Sequence, residues 1–320
     1  MTKDFKILFL NKKNRKLFED KWNEFTETSG ASFESSLTFL DSMELDGLKN
    51  KSILVVDKNN ELKGIFPLME EKFLFLKRYK SLGFTGKLNF KKLLPSIRKK
   101  LGTLAIYIQI NEEQKNKKIE NKMLAYHFIL DLKGKTEESV WKNDLNKKSR
   151  NLVRKAEKSR LKINISDSRE ELKKFYLIYV KRMKYFGTTP HSFRYMDYLK
   201  NNFPGFFILN VYLGSKIIAG GTVYIYNQKM FNQFATSDDK YLKYSPNNFF
   251  YWNMIKFALE KNCNEIDYGP SLIDDPVAKF KISMGGKPIL FEDNLILNKT
   301  LYWIFKKMHK SILKLKKIIP

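Results

Sequence analysis

In the second half of the chain, short runs of β-branched and aromatic residues alternate with segments of helical period, an alternation that few folds can satisfy. Strand-like runs fall at residues 161–165, 206–213, 216–226, 230–236, 265–268 and 289–297, with helical patterns at 170–185, 246–261 and 276–284. The punctuation agrees with these limits. Ser245 before Pro246, and Asp274 and Asp275 before Pro276, each supply a capping residue followed by proline in the first turn. Gly285 and Gly286 stand where a helix ends in left-handed backbone. The first half repeats the order, with strands expected at 5–10, 52–56, 62–69, 103–110 and 127–132 and helices around 15–26 and 35–45. The polar, aperiodic stretch 111–122 reads as an exposed loop. This is an α/β (α+β) chain, and 320 residues exceed the usual size of one core. We expect one domain over 1–160, a second over 161–298, and a basic amphipathic helix over 299–320.

Charge sets the class of partner. The chain carries 60 basic against 34 acidic residues, a formal charge of +26, which draws RNA, nucleotide-linked precursors or an anionic membrane face. A lysine- and asparagine-rich composition produces the same excess without any partner, so clustered charge counts for more than the total. The single cysteine, Cys263, excludes an internal disulfide and a cysteine-rich zinc site. His127 in an apolar strand and His309 in the tail have no cysteine or carboxylate at ligand spacing, so no metal is expected. The opening apolar stretch 7–10 is too short for a signal peptide, and no run approaches the ~18 apolar residues of a membrane span. The expected location is the cytoplasm, either soluble or peripheral on the inner membrane face. Gly220 and Gly221 suit a strand bulge or close backbone approach, and Phe249, Trp252 and Phe257 suit a core.

Four ordered segments carry chemistry: KKSRNLVRKAEK from Lys147 to Lys158, GTTPHS from Gly187 to Ser192, SPNN from Ser245 to Asn248 with Tyr251 and Trp252, and DYGPS from Asp267 to Ser271, followed by Phe280, Lys281, Gly285 and Gly286. In order and spacing this set resembles the Fem family of peptidoglycan bridge-forming aminoacyl transferases and the FemAB-like acyltransferases of envelope polysaccharide clusters. The resemblance covers about half the chain, residues 147–297, and residues 1–146 are read as a diverged copy of the same fold. It implies two tandem GNAT-like acyltransferase domains, an activated acyl donor on the second, and an amine acceptor in the cleft between domains. It places Lys281 near the reacting carbonyl and assigns Tyr268, Gly269, Ser271, Asn247 and Phe280 to substrate binding. The acetyl-CoA enzymes of the wider fold carry a glycine-bearing turn whose N–H groups hold pyrophosphate at a helix N-terminus. The corresponding stretch here, DDKYLKYSPN from Asp238 to Asn247, has two carboxylates and no glycine. The long helical arm of some Fem members is absent as well.

Amide formation needs a neutral amine, a group to take its proton, and donors where the carbonyl becomes an oxyanion. Lys281 is the candidate for the oxyanion, with Asp267 and His191 as candidate bases; a surface lysine, a turn-capping aspartate and a loop histidine are the competing readings. On a helix Lys147, Arg150, Arg154 and Lys158 share one face, either a phosphate or RNA contact or a solvated basic stripe. The donor is aminoacyl-tRNA or acyl-CoA, with no permanently bound cofactor. Two alternatives stay open: an acyl-CoA-dependent N-acyltransferase acting on an amino sugar, and a non-catalytic nucleic-acid or membrane-surface binder. The tail 299–320 holds seven lysines and no acidic residue. Its apolar positions Leu301, Ile304, Phe305, Met308, Ile312, Leu315 and Ile319 line one helical stripe, so it either lies in an anionic membrane interface or docks on the protein's own core.

Overall fold

The computed structural model describes residues 5–29, 31–81, 83–111, 125–290 and 292–318. The elements divide into two compact units, Met1–Glu112 with Glu292–Pro320, and Glu113–Phe291. Most of the expected loop, 112–122, lies outside the described residues.

The first unit opens with β1 (Phe5–Phe9), α1 (Lys12–Thr28), α2 (Leu37–Leu45), β2 (Lys49–Asn50) and β3 (Ile53–Asp57). Asn11 starts α1 through a capping box with Asn14, each side chain accepting the other's backbone N–H. Where one strand was expected over 62–69 there are two, β4 (Leu62–Phe66) and β5 (Leu68–Phe73), separated at Pro67, which has no N–H for a ladder. Next come β6 (Leu76–Ser81), β7 (Thr85–Gly86), α3 (Phe90–Leu101) and β8 (Ala105–Asn111), with β6 and β8 parallel. Pro95 inside α3 masks that helix in the sequence pattern.

The second unit begins with β9 (Ala125–Asp131), α4 (Glu137–Asn143), α5 (Lys147–Lys158) and β10 (Lys162–Ser166). Two helices, α6 (Arg169–Tyr185) and α7 (Phe193–Asn202), lead into the antiparallel β11 (Phe206–Leu213), β12 (Lys216–Tyr226) and β13 (Lys229–Ser237). A 3-10 turn, Asp239–Tyr244, precedes α8 (Pro246–Glu260), followed by β14 (Glu265–Leu272), α9 (Pro276–Ser283) and β15 (Lys287–Leu290). The sheet order is β10-β11-β12-β13-β14-β9-β15. Helix α8 is buried on nearly every side, and at Gly221 the sheet comes so close that an added Cβ would lie 2.4 Å from Phe250 Cζ and from the Phe234 carbonyl.

The chain then returns to the first unit with β16 (Glu292–Ile296), beside β8, and α10 (Lys299–Ile318). The two units repeat one plan: strand, two helices, antiparallel strands, a parallel pair spanned by a helix (β6/β8 and β13/β14), then a closing strand. The closing strands are exchanged. β9 follows β8 in sequence yet pairs with β14, while β16 follows β15 and pairs with β8. That exchange moves the boundary from the expected 160 to the segment before β9, and it returns 292–318 to the first unit. The early turns of α10 dock there: Phe305 is buried with Leu76 and Ile106, and Leu301 packs beside them. Tyr302 meets Tyr107 edge-on, whereas Trp303 stays 58% exposed. The tail's apolar stripe is therefore in part a core contact.

Candidate active site

The parallel pair β13 and β14 is joined for only three residues, 229–231 against 265–267. Bulges follow in both strands, since the β12/β13 register slips after Thr222 and the β14/β9 register slips between Asp267 and Pro270. Gly269 sits in that second bulge at φ +78°, close to the Asn232 carbonyl, a backbone position that glycine takes without strain.

On β9, Tyr126, Phe128 and Leu130 turn into the core, so the period-2 alternation puts His127 on the opposite face, the face on which Asp267 stands opposite Ile129. The bulge carries the buried Asp267 carboxylate to the imidazole: Oδ2 lies 2.6 Å from His127 Nδ1, and Oδ1 accepts the Gly269 N–H at 2.7 Å. The histidine side chain is 20% exposed against 4% for the aspartate, so one end of the pair is fixed in the protein and the other reaches outward. Of the two expected bases, Asp267 thus gains a histidine partner, but a different one. His191 stacks on Tyr195 at 4.6 Å and packs against Phe234 at 5.2 Å, its backbone held by the Tyr179 and Tyr176 hydroxyls. The signal for His127 in sequence was a lone polar residue within an apolar strand. Its partner, 140 residues away, could be found only through strand pairing.

Lys281 is nearly fully buried and lies 5.5 Å from the centroid of the Phe128 ring. Its Nζ donates to the Gly269 carbonyl (2.9 Å), the Pro270 carbonyl (3.1 Å) and Ser271 Oγ (3.0 Å). An ammonium has three N–H groups, and all three are engaged here, so in this state the lysine shapes the bulge and has no N–H left for an oxyanion. Burial lowers its pKa to about 8, against the opposing attraction of Asp267 and Asp275.

Several expected binding residues have other partners. Tyr268 is a core residue whose hydroxyl donates to the Met284 carbonyl, and burial drives its pKa well above the usual value. Phe280 packs edge-on against Tyr251 at 4.9 Å. Ser271 and Asn247, at the end of β14 and in the first turn of α8, remain partly exposed. Ser245 precedes α8 in left-handed backbone without a side-chain cap bond, whereas Asp275 caps α9 through the Val277 N–H. In the basic stripe of α5, Lys147 is exposed, but Arg150 donates to the carbonyls of Trp141, Lys142 and Leu145, which closes α4. Arg154 lies over the Trp141 ring at 5.4 Å. The stripe is broken by these contacts. Replacing Arg150 with glutamate is expected to lower unfolding stability by about 2 kcal/mol through the orphaned carbonyls. The readout is the urea midpoint, and a variant of unchanged midpoint would return Arg150 to the solvent-facing stripe.

Comparison with known proteins agrees with this architecture. Residues 142–281 match the family described as acetyltransferase (GNAT) domain. No sequence among curated proteins matches the chain. The structure of FemX superposes with a TM-score of 0.70 at 15% identity, covering 93% of this chain and 99% of that one. L-PGS from Bacillus licheniformis gives 0.57 at 12% identity, over 88% of this chain and 92% of its own. A tandem GNAT protein from the clavulanic acid biosynthesis pathway gives 0.57 at 8% identity, over 92% and 99%. At such identities the likeness speaks for the fold, and the match over 142–281 for the chemistry of the second unit. Residues 142–281 form a GNAT acyltransferase domain, in a chain whose fold is shared with FemX.

Proposed function

We propose that the protein forms an amide by moving an aminoacyl group from aminoacyl-tRNA to an amine of a cell-envelope precursor. The observation that carries the donor assignment is the turn after β13. Where CoA-using relatives in the fold present glycine N–H groups to a pyrophosphate, Asp238 and Asp239 stand here, ion-paired to Lys181 and Arg182 of α6. The turn thus presents acceptors where a pyrophosphate needs donors, and the Lys240 N–H is already taken by Asp238.

The His127–Asp267 pair supplies the proton chemistry. The acceptor nitrogen attacks the ester carbonyl, its proton passes to the imidazole, and Asp267 stabilises the imidazolium through Nδ1. As the tetrahedral intermediate collapses, the C–O bond breaks and the ribose oxygen leaves with that proton, restoring neutral His127. Lys281 keeps the Gly269–Ser271 bulge in the shape that aims Asp267. The acceptor reaches the site either from solution or from the inner membrane face. For the latter, the exposed Trp303 and Ile304 with Lys306 and Lys307 form the membrane-facing side of α10.

The GNAT acetyltransferase match supports a second donor, acyl-CoA with an amino-sugar acceptor. Incubating the protein with envelope-precursor extract and either labelled charged tRNA or labelled acetyl-CoA separates the two. Label entering the precursor from tRNA alone is the expected result. Entry from acetyl-CoA alone would replace this reading with the second.

A further inference from the structure

We propose that the C-terminal turn of α6 and the 3-10 turn after β13 together form a stacking platform for unpaired RNA bases. Both segments interleave basic and aromatic residues: Lys181, Arg182, Lys184, Tyr185 and Phe186 in one, and Lys240, Tyr241, Lys243 and Tyr244 in the other. The Arg182–Asp239 pair and the Lys181–Asp238 contact at 3.9 Å tie them together around a cavity of about 80 Å³ that Ile178 and Ser237 also line.

The rings face outward. Tyr185 is 74% exposed and Phe186 57%, arranged edge to face at 5.5 Å. The Arg182 guanidinium lies 4.4 Å from the Phe186 centroid and 5.4 Å from that of Tyr185. On the other segment Tyr241 and Tyr244 stack at 6.4 Å, with Lys216 over the first and Lys243 over the second. Tyr185 and Phe186, exposed under one guanidinium, with the half-buried edges of Tyr241 and Tyr244 beside them under lysines, match the π-face and phosphate of successive unpaired nucleotides. Lysines with aromatics also suit a lipid surface, but Asp238 and Asp239 stand at the centre of this patch. Both carboxylates are already ion-paired and so add little net repulsion, but as acceptors set between the rings they suit the 2′-hydroxyls of an unpaired RNA strand, so the patch favours RNA.

The placement fits a donor end rather than a single nucleotide. Ser237 ends the strand whose Phe231 pairs with Asp267, and six residues of strand put the two roughly 20 Å apart. Bases on the platform therefore lie upstream of the acylated nucleotide at the His127–Asp267 pair. The inference deepens the aminoacyl-tRNA reading and rests on it for the source of the RNA.

The test is fluorescence anisotropy of the full chain with an uncharged single-stranded RNA oligonucleotide, which needs no transfer reaction. Tyr185→Ala and Phe186→Ala are each expected to weaken binding by about tenfold, and Tyr185→Leu to do the same while keeping apolar bulk. Lys181→Gln and Lys184→Gln should each lower the slope of log affinity against log salt by about 0.7. The rings are exposed, so thermal unfolding should stay at the wild-type value. The proposal is overturned if the oligonucleotide does not bind, if the ring variants bind as wild type, or if Tyr185→Leu retains full affinity. It is also overturned if the ring variants lose binding to anionic vesicles or to uridine diphosphate but not to the oligonucleotide. A platform that passes beside a protein inactive with every charged tRNA would remove the proposed activity and leave the RNA site; intact transfer with unaltered ring variants would do the reverse.

Discussion

Replacing His127 by asparagine should lower kcat/KM for transfer by about 10²–10⁴-fold, the usual contribution of a positioned acid–base group. Asparagine is chosen because its amide N–H can still reach Asp267 Oδ2, so the buried carboxylate keeps a donor and loss of the fold is not the expected cause of the loss of activity. Asp267→Asn should produce a comparable loss by a different route. Its amide can present an N–H to His127 Nδ1, reversing the tautomer while Oδ1 still accepts from Gly269. If the two residues act as a unit, the double variant falls no further than either single one. Retention of activity within about threefold in His127→Asn, measured at saturating and at limiting acceptor, would reduce the pair to a structural hydrogen bond and return the proton chemistry to another group.

The pair also shows what could be read from the sequence and what could not. Local signals were legible because their physics is local. Pro276 behind Asp275 starts α9, and Gly285, at φ +90°, ends it. The alternation in β11 to β13 is two-sided core patterning. Asp267 was identifiable because a carboxylate followed by Tyr-Gly-Pro signals irregular strand backbone, although β14 does not end there as expected but passes through a bulge and runs on to Leu272. What depends on pairing was hidden. The Asp267 partner of His127 lies 140 residues away, and the strand exchange that brings β9 to β14 leaves no mark on composition. Helical periodicity placed Arg150 correctly on a polar face of α5, yet periodicity cannot say that the α4 carbonyls reach that face first. The same limit applies to Tyr268, whose neighbours in sequence suggest a binding motif while its ring lies wholly inside the core. The tail was ambiguous for a related reason, since an amphipathic stripe is the same whether it meets lipid or protein, and it is contact with Leu76, Ile106 and Tyr107 that decides that Phe305 meets protein.

Net charge proved a weaker guide than its local arrangement. Cationic residues that looked alike along the chain divide by contact: Arg150 closes a helix, Arg154 covers a tryptophan, and Arg182 joins a carboxylate to two exposed rings. An excess of +26 steers any polyanion toward the surface, but steering fixes neither register nor orientation. Those fall to the few cations that the fold holds in place beside an aromatic face.

Lys281 yields the second large effect. Lys281→Met keeps the stem and removes the charge, which leaves the Gly269 and Pro270 carbonyls and Ser271 Oγ without their shared donor. The bulge then loses the clamp that aims Asp267, and kcat should fall by about 10²-fold or more with little change in acceptor KM, as expected when a catalytic group is displaced by about 1 Å. A lysine that binds substrate directly would instead move KM. Stability supplies a separate signature. Burial lowers the lysine pKa from 10.5 to about 8, so between those values the unfolded chain holds a proton that the folded one has released. The resulting stability is fully present above pH 10.5 and is lost as pH falls through 8, a swing on the order of 3 kcal/mol. Methionine cannot titrate, so the unfolding free energy of wild type minus that of Lys281→Met should rise across this window and be flat below it. A difference independent of pH from 7 to 10.5 would show that the ammonium is hydrated, and the clamp would then no longer account for the geometry of Asp267.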